Sequence, residues 1–341
     1  MSTHAGLALR RLGRSRRATV GVAVLGVIAL VAVFAELLAA DSPILSASPA
    51  PRVLPAITAT SPRAPTPSPA ADDGACSGRT APATPADQRV DAPGLWPVVR
   101  WGPTSRSGAG ACAPASRQHP LGTDANGRDL AARLVYGARN ALGLALAATL
   151  IGAGLGVALG GLAGYHRGFW NDRLVRLVET VDTFPAILVV ALLRAIEREP
   201  SALSLVVAVA LVRWAEVARL VRVEVLRAST EDYVLAARAL GGSPFHIFRR
   251  HILPGAAGPV AVSAVFGLGT AVLLEAAVSF LGLGTPAASA SWGEILAEGA
   301  RHPAELRLLL WPGAALLATV GAAFLLADAL RDALDPKASR R

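Results

Sequence analysis

The sequence predicts an all-α polytopic membrane protein with six transmembrane helices and both termini in the cytoplasm. Three observations carry this. The 341 residues are 53% hydrophobic and only 17% charged, where soluble domains carry about 25% charged residues. Six apolar runs recur along the chain, each long enough for the ~30 Å hydrocarbon layer. Arginines concentrate in alternate short loops, the asymmetry that sets orientation. The net charge of +9 rests on arginine, since Lys337 is the single lysine. Those arginines flank apolar segments as membrane anchors do, so no nucleic-acid partner is expected.

Residues 1–17 form a basic, cytoplasmic N-terminus with Arg10, Arg11, Arg14, Arg16 and Arg17. The run at 18–40 follows, interrupted only by Glu36. A cleaved leader has an apolar core of about 7–15 residues, so this longer run reads as a retained first span.

Residues 41–118 change character, with stretches such as SPRAPTPSPA and no helical or strand period. Such a composition buries too little apolar surface to offset ordering, so a largely disordered extracytoplasmic loop is expected. Both cysteines, Cys76 and Cys112, fall here. They either form a disulfide, which stabilises by about 3–4 kcal/mol in the chain-entropy model, or remain two free thiols. Two cysteines without nearby histidines do not make a metal site.

Residues 119–138 read as an extracytoplasmic interfacial segment. Gly122, Asp124, Asn126 and Gly127 mark turns, and 129–136 suits a short amphipathic helix. Its Asp and Arg residues are explained by turn and cap bonds without invoking metal or catalysis.

The transmembrane domain proper is expected over 139–330, with a tail at 331–341. In the second span, 140–165, Gly152, Gly156, Gly160 and Gly164 recur every four residues on one face. Small residues at that spacing let a neighbouring backbone approach closely. The third span, 177–196, carries Glu179 and Asp182 near its start, beside Arg173 and Arg176, and Pro185 within it. Those acids are either functional groups within the span or ion pairs at the helix end. The fourth span covers about 202–220, the fifth 256–281 and the sixth 306–326. Trp292, between the last two, suits an interfacial anchor. Glu275 is the carboxylate deep in an apolar run. It contacts substrate, gates a pathway, or hydrogen-bonds a neighbouring helix.

Orientation follows from the short loops. The N-terminus, the 166–176 turn, the 213–251 region and the tail are rich in arginine, whereas 197–200 and 282–305 hold one each. The rich set is cytoplasmic.

One cytoplasmic stretch, within about 228–254, is too polar to cross a bilayer and too aromatic for a solvated loop: EDYVLAARALGGSPFHIFRRHILP. It reads as two short helices. Ser229 is expected to cap the first, with Glu231 and Asp232 in its first turn. Gly241-Gly242 ends it in a left-handed conformation, and Ser243 caps a second helix that begins at Pro244.

Ala236-Ala237, Gly241 and Leu253-Pro254 match in register the cytoplasmic signature of permease subunits of ATP-binding-cassette importers. Leu235 and His251 depart from its general form. HPLGTDANGRD (119–129), SFLGLGTPAASASWGEIL (279–296) and LRDALDP (330–336) narrow the resemblance to the C-type dipeptide/oligopeptide permeases. It covers residues 1–40 and 119–336; the Pro-rich insertion has no counterpart. The resemblance implies a type I importer fold and a role as one half of a translocation pathway for peptides or related small solutes. It also implies a homologous second permease, two ATPase subunits and an extracytoplasmic substrate-binding protein as partners, in a bacterial plasma membrane. Coupling to the ATPases would fall on Tyr233, Ala236, Ala237, Gly241, Leu253 and Pro254, with Ser243, Pro244, Phe245, Ile247 and Phe248 as the docking face. ATP and magnesium would be bound by the ATPase partners, and this chain would hold no cofactor, metal or catalytic residue. The sequence agrees: it has no P-loop, HExxH or nucleophile elbow. A secondary transporter would leave the 231–254 stretch unexplained, and a membrane-embedded enzyme would need more polar groups in the bilayer than Glu275.

Overall fold

A computed structural model describes residues 11–13, 15–41, 45–46, 76, 94–166, 168–198, 200–285 and 290–334. Most of the Pro-rich insertion and the end of the tail lie outside these residues, as does the expectation of disorder placed on them.

The described residues are predominantly helical. Helix α1 is Arg16–Val33, capped by Ser15, and a single turn α2, Ala35–Leu38, follows. Two residues, Leu45–Ser46 (β1), pair antiparallel with Gly94–Leu95 (β2). Helix α3 runs from Leu130 to Tyr165 and α4 from Phe169 to Thr183. Next come α5, Ala186–Ala195, and α6, Ala202–Ala228. Short α7, Asp232–Ala239, and α8, Pro244–Ile247, precede a π-helical turn at Phe248–Ile252. Helices α9, Leu253–Phe280, α10, Trp292–Arg301, and α11, Arg307–Leu334, complete the fold.

Four helical segments are long and apolar enough to cross a membrane: Arg16–Val33, Leu130–Tyr165, Pro244–Phe280 and Arg307–Leu334. With its buried apolar faces, this arrangement is that of an integral membrane protein.

Several expectations are corrected. The second span is not preceded by a separate interfacial helix at 129–136. Asp129 Oδ1 accepts a hydrogen bond from the Ala132 amide at 2.8 Å, and one helix of 36 residues runs from there. The third span is interrupted: Phe184 is extended and α5 restarts after Pro185, because proline supplies no amide donor and biases the preceding residue away from helix. The acids of that segment do not pair with Arg173 and Arg176. Asp182 pairs with Arg219 of α6 at 2.5 Å, while Arg173 lies over the Phe169 ring. The fourth helix continues eight residues past 220, to Ala228. Trp292 is no interfacial anchor, being 2% exposed with its indole N–H donating to the Leu134 carbonyl at 3.0 Å.

The core is built from small residues. α3 lies along α6, α9 against α11, and α11 against α1. Ala138, Ala141, Ala145 and Ala148 of α3 are buried with Leu205, Ala208 and Val209 of α6 and Val272 of α9. In a bilayer, where lipid is as apolar as the helices, such close approach provides the dispersion contacts that hold helices together. The glycine stripe lies on this contact. A Cβ at Gly156 would stand 2.5 Å from that of Val217, and one at Gly164 2.7 Å from that of Val225. At Gly160 it would meet the Ala218 backbone, and at Gly152 the Arg213 Cβ at 3.1 Å.

Candidate functional site

The 228–254 stretch forms a helical hairpin at one end of the bundle. Glu231, not Ser229, is the cap residue of α7, and its side chain makes no capping bond. The Ser229 hydroxyl instead donates back to the Val225 carbonyl at 2.6 Å, because Ser229 closes α6. Gly241 has φ +81°, a conformation that costs glycine nothing, and its amide donates to the Arg238 carbonyl at 3.0 Å. Ala237 contributes its carbonyl, which accepts from the Gly242 amide at 3.1 Å. The close approach therefore falls at Gly242, where a Cβ would lie 2.8 Å from that oxygen. Ala236 is exposed. Ser243 Oγ then accepts from the His246 amide, with Pro244 in the first turn.

The second helix of the hairpin is not short. Leu253 N–H donates to the Phe248 carbonyl five residues back, and the helix passes through this π turn into the membrane segment. Pro254 explains the irregularity: it cannot donate, so the ladder shifts register just before it. Pro244–Phe280 is thus one helical segment of 37 residues.

The hairpin has an inner and an outer surface. Val234, Ile247 and Ile252 are buried against Val217, Val221 and Val225 of α6. Phe248 also turns inward, its Cζ 2.5 Å from where a Cβ of Gly161 would stand. Ile247 and Phe248 therefore hold the hairpin to the bundle, unlike the exposed docking face expected of them from sequence. On the outside, Phe245 is 71% and Leu240 88% exposed, and Tyr233 is half exposed with its ring toward His251. Ser243, Phe245, His246, Arg249, Arg250 and Pro254 line a concave surface of about 710 Å³. Leu253 is half buried. An aromatic anchor beside arginines on an open concavity has the composition of a protein-binding hot spot.

At another place in the fold, residues 107–133 are locked to α10. Asp124 Oδ2 accepts from Arg128 Nε at 2.8 Å and from Arg133. Glu298 accepts from Arg128 at 2.6 Å and Arg133 at 3.1 Å, and Glu294 pairs with Arg133 at 2.9 Å. Burial raises the Asp124 pKa, but Arg133 and Arg128 outweigh it and hold this carboxyl below its usual range. For Glu298, burial and then the Asp124 charge push the pKa up, with the arginines only partly offsetting them. Sequence reasoning found the local bonds: Asp124 Oδ1 accepts from the Asn126 and Arg128 amides. It missed Glu294 and Glu298, more than 160 residues away. Beside this network, Ser107 Oγ and Asp129 Oδ2 each lie 2.8 Å from a ring nitrogen of His119. All three side chains are buried and Trp101 packs on the imidazole, so the trio braces the turn and offers no nucleophile to a substrate.

Cys76 and Cys112 are joined as a disulfide with Cα atoms 5.1 Å apart. Arg307, at the start of α11, donates to the Cys112 and Ala113 carbonyls at 2.5 and 2.6 Å. Glu275 is buried, and its Oε1 accepts from Ser279 at 2.8 Å and from Ser291, the α10 cap, at 2.9 Å. These bonds run within α9 and toward the loop that begins α10, and Oε2 has no hydrogen-bond partner among the described residues.

Comparison with known proteins fits this architecture. Residues 156–340 match the family model of the binding-protein-dependent transport system inner membrane component. Residues 5–51 match the N-terminal transmembrane domain of oligopeptide transport permease C. A putative peptide transport system permease protein of Brucella suis is 38% identical over 225 residues, covering 66% of this chain and 75% of the relative. The dipeptide transport system permease protein DppC of Bacillus subtilis is 37% identical over 231 residues, 67% of this chain and 71% of that protein. The glutathione transport system permease protein GsiD of Pectobacterium atrosepticum is 38% identical over 225 residues, 65% and 74%. The chain belongs to the family of binding-protein-dependent transport system inner membrane components and is a permease of the dipeptide/oligopeptide type.

Proposed function

We propose that this chain forms half of the translocation pathway of an ATP-driven importer of peptides or related small solutes in a bacterial inner membrane. Its partners would be a homologous second permease, two ATP-binding-cassette ATPases that bind ATP and magnesium, and an extracytoplasmic substrate-binding protein. Six spans with cytoplasmic termini complete the reading, the broken pair α4–α5 and the charged helix α6 adding to the four apolar segments. The relatives' names, which specify peptide, dipeptide and glutathione transport, support a peptide-like substrate.

The observation that carries the proposal is the outer surface of the hairpin, where Phe245 stands exposed beside Arg249 and Arg250. A groove on an ATPase that received Phe245 would gain a lever. The segment from Pro244 to Phe280 extends for about 55 Å at ~1.5 Å per residue. The hairpin's inner face is also packed on Val217, Val221 and Val225. A push on Phe245 would therefore move α6 and α9 together, as a rigid element, when the ATPases close.

Reconstitution tests this. The chain, its candidate second permease, both ATPases and the binding protein are placed in liposomes, and uptake of a labelled peptide is followed. Uptake should require ATP and every component. Accumulation driven by an ion gradient, with no ATPase present, would instead make this a secondary transporter.

A further inference from the structure

We propose that the cavity between α4–α5, α6 and α9 is a transit site for the charged groups of a peptide, an inference that rests on the importer reading above. The cavity holds about 720 Å³. Phe184, Pro185, Leu273 and Leu274 form its apolar side. Its polar side carries two ion pairs, Asp182 with Arg219 at 2.5 Å and Glu216 with Arg213 at 2.8 Å.

Three features set this cavity apart from a packing defect. First, Arg213 is eleven residues beyond Ala202 in α6, about 16 Å along the helix at ~1.5 Å per residue, inside the 202–220 stretch read as the fourth span and toward its cytoplasmic end. Charged side chains within a span face a bundle interior or a water-filled path. Second, these groups are open to the cavity: Glu216 is 47%, Arg219 57% and Asp182 35% exposed. Arg213 is largely covered, yet its Nε has no hydrogen-bond partner among the described residues. Third, the helix break at Phe184-Pro185 opens onto the same space. Irregular backbone at membrane depth is tolerated where it lines a cavity.

The chemistry suits a zwitterion. A peptide presents one ammonium and one carboxylate joined by amides. Glu216 and Asp182 would receive the ammonium, Arg213 and Arg219 the carboxylate, and the apolar wall would take side chains without selecting among them. Each protein charge has its own counter-ion to return to, so the peptide exchanges partners rather than becoming trapped. Passage requires this: a site favourable enough to enter and weak enough to leave.

The test uses the complete transporter in liposomes. Glu216→Gln should lower ATP-dependent peptide uptake by about tenfold or more, the worth of one charge-assisted hydrogen bond, while the ATPases still co-purify. Exchanging the pair, Arg213→Glu with Glu216→Arg, restores a salt bridge but reverses its polarity, and should leave uptake low. Independently, a transported peptide bearing a photoreactive side chain should crosslink wild-type protein within 182–187, 213–219 or 270–277. Normal uptake by Glu216→Gln, full recovery in the exchanged pair, or crosslinks confined to other segments would overturn the proposal. Should Glu216→Gln fail to assemble, the wild-type crosslinks decide. Wild-type complex without ATP-dependent uptake would instead sink the importer reading, and this inference with it.

Discussion

Gly160→Ala offers a measured test of how α3 and α6 are held together. A Cβ at this position would stand 2.8 Å from the Ala218 Cα and closer still to its carbonyl oxygen. Backbone cannot rotate aside as a side chain does, so the helices must separate. Overpacking of this kind costs about 1–3 kcal/mol. Replacing glycine by alanine also raises helix propensity by about 1 kcal/mol, which would mask part of the loss. Gly154→Ala supplies the correction, because Gly154 is on the same helix with nothing within 4 Å of its added Cβ. The propensity term cancels between the two variants. Gly160→Ala should then unfold more readily than Gly154→Ala by about 1–3 kcal/mol, or about 5- to 150-fold in the unfolding constant. Equilibrium unfolding in mixed micelles with increasing dodecyl sulfate reads this difference. Equal midpoints for the two variants would refute the claim that Gly160 marks a backbone contact.

Other outcomes follow from the Asp124–Arg133–Glu298 network and the disulfide. Arg133 is fully buried between Asp124, Glu294 and Glu298, so Arg133→Met should cost about 3–5 kcal/mol. Glu298→Gln, which removes one of three carboxylates facing two guanidinium groups, should cost far less; thermal unfolding of the purified protein ranks them. The pH dependence has two signs. Glu298 has a raised pKa, so its charge opposes folding above that value and acidification relieves the strain first. Asp124 has a depressed pKa, so its contribution is complete above its ordinary value of 3.8 and is lost only as pH falls through the depressed one. Melting temperature should therefore hold or rise on mild acidification and collapse only below about pH 4; a steady fall from pH 7 would contradict this. For the disulfide, intact protein should take up no alkylating reagent before reduction and two equivalents after it, by mass. With the bonded cysteines 36 positions apart in sequence, reduction should cost about 4 kcal/mol in the chain-entropy model. Equal stability of reduced and oxidised protein would show that the bond constrains nothing in the unfolded chain.

What could be read from sequence was whatever local chemistry determines. Four of the six apolar runs, the cap formed by Ser243 with Pro244 and the left-handed Gly241 all depend on neighbours in the chain, and they stand in the structure as expected. The failures share a physical cause, which is a partner distant in sequence. Phe245 and Phe248 look alike in the chain, yet one is exposed and the other faces Gly161, because α3 passes on that side only. Trp292 has the composition of a membrane-interface anchor, but Gly137 leaves a space on α3 that its indole fills. Arg133 was legible as a charge near turns; that it needs Glu298 could not be seen without the fold. Hydropathy also misplaced helix ends. Arg222, Glu224 and Arg227 lower the apolar signal of α6 without breaking its helix. Pro185, conversely, breaks a run that composition presents as continuous.

Co-purification of the ATPase with wild type and with a Phe245→Ala variant, matched in expression, bears most heavily on the hairpin's role. Phe245 is 71% exposed, so its loss should leave the bundle folded. As an interface anchor its truncation should cost about 2 kcal/mol or more, weakening ATPase retention by roughly 30-fold. Loss of the ATPase from the variant alone is the result expected of a docking hairpin. Equal retention by both proteins, or an ATPase that binds neither, would contradict it.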